Sequence, residues 1–338
     1  MRFLTCASFH GTGSSAVTDF FSEFDNIVSL NDSEYRLAWD PDGISDLEFN
    51  IVQNNIRTNM PYAIDRFIAF TKMLGSLRWY RIFGDGFQRA TKQYLSDITE
   101  LKAHSYWHRN RIDKGRLFYA MDRGYSFFRK KLTGGKEGSR SLLAGRKIAY
   151  FSAVSEEEFL EATRRYMDTL FGGVSKGAQI LMVDQLVPPT QTGRIVRYFN
   201  DIKAIVVDRD PRDVFLFDKT RWKSHKIPTE TAEDYVKWFL ITRKYSSPEN
   251  EDKSRILRIR FEDMIYHYEE TAKKLMDFVG VEEKNHVRRR TRFNPDISIK
   301  NTQMQYRVKG YEKEIRYIEE HLKDYLYPFP EGEAPSLS

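Results

Sequence analysis

The chain of 338 residues has a single cysteine, Cys6, so no intrachain disulfide can form. The thiol lies inside a short apolar run, which predicts a buried side chain in a reducing compartment. No apolar stretch approaches the ~18–20 residues that span a bilayer. The N-terminus also lacks the basic-then-apolar layout of a secretory signal, because the apolar run 3–9 is short and meets a Gly/Ser-rich loop at once. A cytoplasmic location is expected. There is no internal repeat, and no biased segment beyond a short acidic, proline-containing tail after Phe329. What remains is 41% hydrophobic and 30% charged, the balance of a globular protein. A chain this long removes about three-quarters of its unfolded surface from water. The net charge of +6 points to anionic ligands, although much of it is solvated surface. The 14% aromatic share is high; packing is its commoner use, and sugar or nucleotide surfaces are another.

The most informative stretch is the first. An apolar run of strand length leads into His10-Gly-Thr-Gly-Ser-Ser15, and Val17, Phe20, Phe21 and Phe24 then recur at helical spacing. Strand, small-residue loop and helix N-terminus together form an anion site, because unpaired first-turn amides and the positive end of the helix dipole point the same way. A Walker A loop is disfavoured, since no Lys follows Gly13. Gly11, Gly13 and Ala16 fit a relaxed dinucleotide fingerprint, with Asp32 near the place of the ribose-binding acid. An ordinary capped strand–helix turn is the third reading. The loop alone leaves all three open.

Further along, residues 26–30 read as a second strand that ends in the polar turn Asn31-Asp-Ser-Glu34. Residues 178–187 and 203–207 read as buried strands, and 255–261 as a strand near the sheet edge. Helices are expected between them: one from Ser155, with Glu158 completing a capping box, one over 190–199, one over 230–245, one around 266–278 stopped by Gly280, and one over 311–325. Residues 87–101 also read as helix, inside a mostly helical section without strong strand signals. Alternating strands and helices predict an α/β protein with a parallel β-sheet flanked by helices. The expected organisation is one α/β domain over 1–330, a helical insertion over 60–150 on the acceptor side, and a flexible tail over 331–338.

The buried strand 203–207 delivers Arg209-Asp-Pro-Arg-Asp213 at its tip. Pro211 suits a first helical turn, and Arg209 and Arg212 suit a second phosphate through bidentate hydrogen bonds. The competing reading pairs both arginines with the neighbouring aspartates. In this order, the loop, the Arg-Asp-Pro-Arg-Asp turn, Leu257-Arg-Ile-Arg-Phe-Glu-Asp-Met264 and Asp277-Phe-Val-Gly280 resemble the sulfotransferase superfamily, which has a P-loop-related fold. The resemblance spans about residues 2–280 and leaves 40–150 unmatched. It implies 3′-phosphoadenosine 5′-phosphosulfate (PAPS) as donor and calls for no metal. It places Gly11, Thr12, Gly13, Ser14 and Ser15 on the 5′-phosphosulfate and Arg209, with Arg212, on the 3′-phosphate. Lys300, Arg307 and Lys309 follow as helpers on a basic C-terminal loop. Two positions depart from the pattern: Gly11 stands where such loops carry Lys or Arg, and Phe217 where a serine is common.

Two residues are candidates for the base. Glu34 lies at about the distance from the loop at which heparan-type glucosaminyl sulfotransferases carry a glutamate base, and it is favoured. His10, in the loop itself, is assigned to the donor side as an electrostatic partner. The acceptor is expected to be a hydroxyl or amine of a carbohydrate, such as an anionic glycan, a cell-surface polysaccharide or its precursor. The reason is the interleaving of basic and aromatic residues from Trp107 to Lys131. A helical face with solvated charge is the bland alternative there, and nucleic acid is not the expected partner. A P-loop kinase-like enzyme, an NAD(P)-binding enzyme and a non-catalytic glycan-binding relative stay open. Oligomeric state is not legible.

Overall fold

In the computed structural model, which describes residues 1–136 and 140–330 apart from the side chains of Asn31 and Asp32, seven strands form. They are β1 (Arg2–Ser8), β2 (Ile27–Glu34), β3 (Leu101–His104), β4 (Ile148–Phe151), β5 (Ile180–Asp184), β6 (Ile202–Asp208) and β7 (Ile256–Arg260). The chain divides into two compact units. One comprises residues 1–39 and the chain from Val174 onward, and the other is Asp40–Gly173.

The first unit holds a five-stranded sheet in the order β2-β5-β1-β6-β7, with every neighbouring pair parallel. Parallel neighbours need crossover connections, and helices supply them. The central strands are buried on both faces, which is why 178–187 and 203–207 are almost continuously apolar. Leu4 and Cys6 of β1 pack with Val17, Phe20, Phe21, Ile205 and Val207 in one core. Burial pushes the Cys6 thiol well above its usual pKa, so it behaves as a small apolar side chain. Behind that core Glu23, itself buried, accepts hydrogen bonds from the backbone N–H groups of Arg290, Arg292 and Phe293 and contacts His286 Nε2 at 2.6 Å. A single carboxylate thereby fastens the basic 286–293 segment.

Two boundaries of this unit differ from expectation. β2 does not stop at a turn after residue 30. Its register with β5 shifts between Ser29 and Glu34, and the strand runs on to pair Glu34 with Asp184. As an edge strand it tolerates polar residues on its open side. The terminal helix closes at Glu312–His321, with a 3₁₀ turn at Lys323–Tyr325. The expected tail over 331–338 lies outside the described residues.

The second unit, which contains residues 60–150, is built mainly of helices, including Asn59–Ser76, Asp85–Asp97, Gly115–Leu132 and Glu156–Gly172. The last begins as expected, with the Ser155 Oγ accepting from Glu158 N–H and the Glu158 carboxylate accepting from Ser155 N–H. The section is not strand-free, however. β3 and β4 form an antiparallel ribbon, and the helix expected over 87–101 stops at Asp97. At four residues each, these strands are too short to leave an apolar alternation to read.

Candidate active site: a phosphate cradle and a carboxylate pair

β1 ends at Ser8, and the chain turns through Phe9–Gly13 into the helix Ser14–Phe21. Gly11 and Gly13 have φ of 79° and 100°, in the left-handed region that glycine adopts without strain. At Gly13 a Cβ would also meet the Phe261 ring at 2.6 Å, so the loop sits directly on that side chain. Thr12 Oγ donates to Phe9 O and contacts Val207 O, both at 2.8 Å, tying the loop to the tip of β6. No side chain caps the helix, and Ala16 N–H turns back to Gly13 O at 3.1 Å. The loop has the form of a cradle that could hold a phosphate-like anion. Lined by backbone rather than by a lysine, it could hold the 5′ end of PAPS.

The turn after β6 is anchored residue by residue. Asp210 caps the helix Pro211–Phe217, accepting from Arg212 N–H, and Pro211 occupies its first turn. Arg212 is clasped by Asp210 at 2.8 and 2.9 Å and reaches Glu319 at 2.9 Å. Of the two expected phosphate arginines, this one is engaged by carboxylates. Arg209 is not: its Nη1 donates to Gly11 O at 3.1 Å and its Nη2 to Asn301 O. The guanidinium lies between the Phe217 and Phe261 rings, 5.1 and 5.0 Å from their centroids, and its Nε has no hydrogen-bond partner. Phe217, at the position of the common serine, is thus a stacking platform for Arg209. Arg209 joins the cradle to the 300–304 segment, and Asp213 holds that segment by accepting from Gln303 and Met304 N–H.

Arg307 donates to Thr302 O and leaves Nη1 without a partner, while Lys300 and Lys309 are exposed. Arg221, also over the Phe217 ring, donates to Asn301 Oδ1 at 2.5 Å.

At the C-terminal tips of β2 and β5, Glu34 and Asp184 are register partners. The Asp184 carboxyl is pushed up to about 7, first by burial and then by the Glu34 charge, with the nearby Gln185 N–H and Ser14 hydroxyl dipoles acting the other way. Glu34 is exposed and stands 3.7 Å from Arg36. His10 lies 5.1 Å from the Trp222 ring, with Nε2 buried and unpartnered. Burial lowers its pKa, with Lys226 acting in the same direction, so the ring is neutral at pH 7. It offers hydrogen bonding at the cradle rather than fixed positive charge. The structure therefore brings together the loop, Arg209, His10 and Glu34, and places Lys300, Arg307 and Lys309 along the neighbouring C-terminal segment. Asp32, the acid of the dinucleotide reading, has its side chain outside the described residues.

Sequence reasoning missed Asp184, although it is the single acid in the apolar run 178–187. It also missed Arg243, which pairs with Asp208 at 2.7 and 3.0 Å while stacked against Phe9 and Phe239. No local pattern announces that contact. Among the described residues no cluster of three or more His, Cys, Asp or Glu is arranged to hold a metal. No helix of the described residues is long and apolar enough to cross a membrane.

Comparison with known proteins bears on the same segments. Solved structures similar to this chain include a sulfotransferase domain from the curacin biosynthetic pathway (12% identity over 97% of this chain and 92% of that one, TM-score 0.36). A sulfotransferase domain from the Synechococcus PCC 7002 olefin synthase is also similar (13%, 97% and 95%, TM-score 0.37). So is retinol dehydratase in complex with androsterone and inactive cofactor PAP (13%, 98% and 84%, TM-score 0.32). No individually curated protein matches. The model of the sulfotransferase family matches residues 111–285, a segment that includes the Arg209–Asp213 turn and Phe261-Glu-Asp263. Matching over more than half its length, the chain belongs to the sulfotransferase family and is a PAPS-dependent sulfotransferase.

Proposed function

We propose that this enzyme sulfates a hydroxyl or amine of a carbohydrate acceptor, with Glu34 receiving the acceptor's proton. The observation that carries the reading is the Glu34–Asp184 pair, set at the C-terminal tip of the sheet, where the Glu34 charge raises the Asp184 pKa. When bound, PAPS supplies the activated sulfuryl group. Gly11–Ser15 hold its phosphosulfate end through backbone amides and the two serine hydroxyls. Arg209 serves the 3′-phosphate, with Arg221, Lys300, Arg307 and Lys309 adding positive charge around it. Arg212 is assigned to holding the 210–212 turn, because its N–H groups are already directed at Asp210 and Glu319.

Glu34 is exposed, so an acceptor oxygen or nitrogen can reach it, whereas Asp184 is mostly covered and holds its proton near neutrality. The two carboxyls then divide the work. Glu34 takes the proton, and Asp184, in its protonated form, spares Glu34 a neighbouring negative charge. His10, neutral, orients groups at the cradle. A carbohydrate acceptor is supported by the excess of basic over acidic residues from Trp107 to Lys131 and by the aromatics interleaved with them. The single buried thiol suits a reducing compartment, and we place the enzyme in the cytoplasm. A screen with sulfur-labelled donor tests the acceptor class. Label on oligosaccharides supports the proposal, and label confined to small phenols overturns it.

A further inference from the structure

The helix Gly115–Leu132 has three distinct faces. Its inner face is pinned: Asp122 pairs with Arg111 at 2.5 Å and accepts from Ser141 Oγ, and Ser126 Oγ donates to Arg140 O at 2.9 Å. Away from it runs an apolar seam that no described residue covers. Leu117 is 77% exposed, Met121 57%, Phe128 64% and Leu132 83%, at a spacing that keeps all four on one stripe. On the opposite flank Arg116, Arg123 and Lys130 recur every seven residues, with Phe127 (65% exposed) and Lys131 between flank and seam. From 108 to 132 the chain carries Arg109, Arg111, Lys114, Arg116, Arg123, Arg129, Lys130 and Lys131 against two acids, Asp113 and Asp122. Both acids are engaged, by Arg109 and Arg111.

We infer that this helix docks the enzyme on an anionic lipid surface. Hydrogen bonding to sugars does not call for a row of Leu, Met and Phe, whereas burial in the acyl–headgroup boundary does. The basic flank supplies the complementary charge for anionic headgroups. A second copy of the same helix is a poorer occupant, because its flank would bring like charge against like charge. A pinned inner face presents the seam on a preformed helix, so little ordering is left for docking. The inference draws on the same basic and aromatic stretch as the carbohydrate reading, but it concerns where the enzyme sits and not what it sulfates.

Flotation of the full chain with phosphatidylcholine vesicles, with and without phosphatidylglycerol, tests it. Binding is expected to the anionic vesicles only, with release by high salt. Leu117→Ser/Phe128→Ser and Arg116→Gln/Arg123→Gln/Lys130→Gln should each lower the bound fraction about tenfold or more. Both should keep the parent's circular dichroism and its thermal stabilisation by 3′,5′-diphosphoadenosine (PAP), which shows that they are folded. Three outcomes would overturn the inference: no flotation of the parent, flotation unchanged in both variants, or a parent dimer that the Leu117→Ser/Phe128→Ser variant dissociates.

Discussion

Glu34 and Asp184 face each other across adjacent parallel strands, and the first of them raises the pKa of the second. Their pairing depends on the register shift in β2, without which Glu34 would not come level with the tip of β5. A one-residue slip in a strand sends every side chain beyond it to the other face, so the irregularity places the acid.

The pair has a pH signature. The Asp184 carboxyl titrates at about 7 in the fold against 3.8 ordinarily, so the fold keeps a proton that the unfolded chain releases at about pH 4. This contribution to stability is present at acidic pH and is lost as pH rises through about 7, at roughly 1 kcal/mol per pH unit across the window. Asp184→Asn should flatten that slope, and Glu34→Gln should move its upper end to lower pH. Urea unfolding from pH 4 to 8 reads both. An Asp184→Asn profile parallel to the parent's would show that the carboxyl does not titrate there.

Arg209 holds the donor side together, donating to Gly11 O and Asn301 O from between two aromatic rings. Arg209→Ala should weaken PAP binding by about 2–3 kcal/mol, roughly 30- to 150-fold. Calorimetric titration checks it. Parental affinity in the variant would remove Arg209 from the donor site.

Gly13→Ala puts a Cβ into the Phe261 ring and strains a φ of 100°. A loss of roughly 1–3 kcal/mol in stability is expected, with weaker PAP binding. Adding Phe261→Leu should relieve the clash and leave the backbone strain, recovering only part of the loss in thermal unfolding.

Arg243→Met removes the partner of Asp208 at the tip of β6. Breaking a pair this covered on the arginine side costs about 3–5 kcal/mol, measurable by chemical denaturation. A neutral effect would mean that water satisfies Asp208 unaided.

Much of this was legible in the amino acids. Gly11 and Gly13 between an apolar run and a helical pattern mark a loop that needs left-handed backbone. The Arg-Asp-Pro-Arg-Asp turn shows where a buried strand delivers charge. What escaped was set by contacts distant in sequence. Asn301 meets Arg209 across 92 positions, and no local periodicity encodes that. Arg212 reads as a phosphate ligand until Glu319 is seen beside it. The β3–β4 ribbon is too short to show alternation. Asp184 was visible as a lone acid in an apolar strand, but its meaning came only with Glu34 opposite.

The central claim is that Glu34 takes the acceptor's proton, and one pair of measurements on Glu34→Gln tests it most directly: labelled-sulfuryl turnover on an acceptor found by the screen, and PAP affinity by titration. A positioned base contributes about 10²–10⁴ in rate. Turnover should fall by that factor while PAP affinity stays within about twofold of the parent. Turnover at the parental rate, with PAP bound as before, would contradict the assignment and move the base to His10 or Asp184.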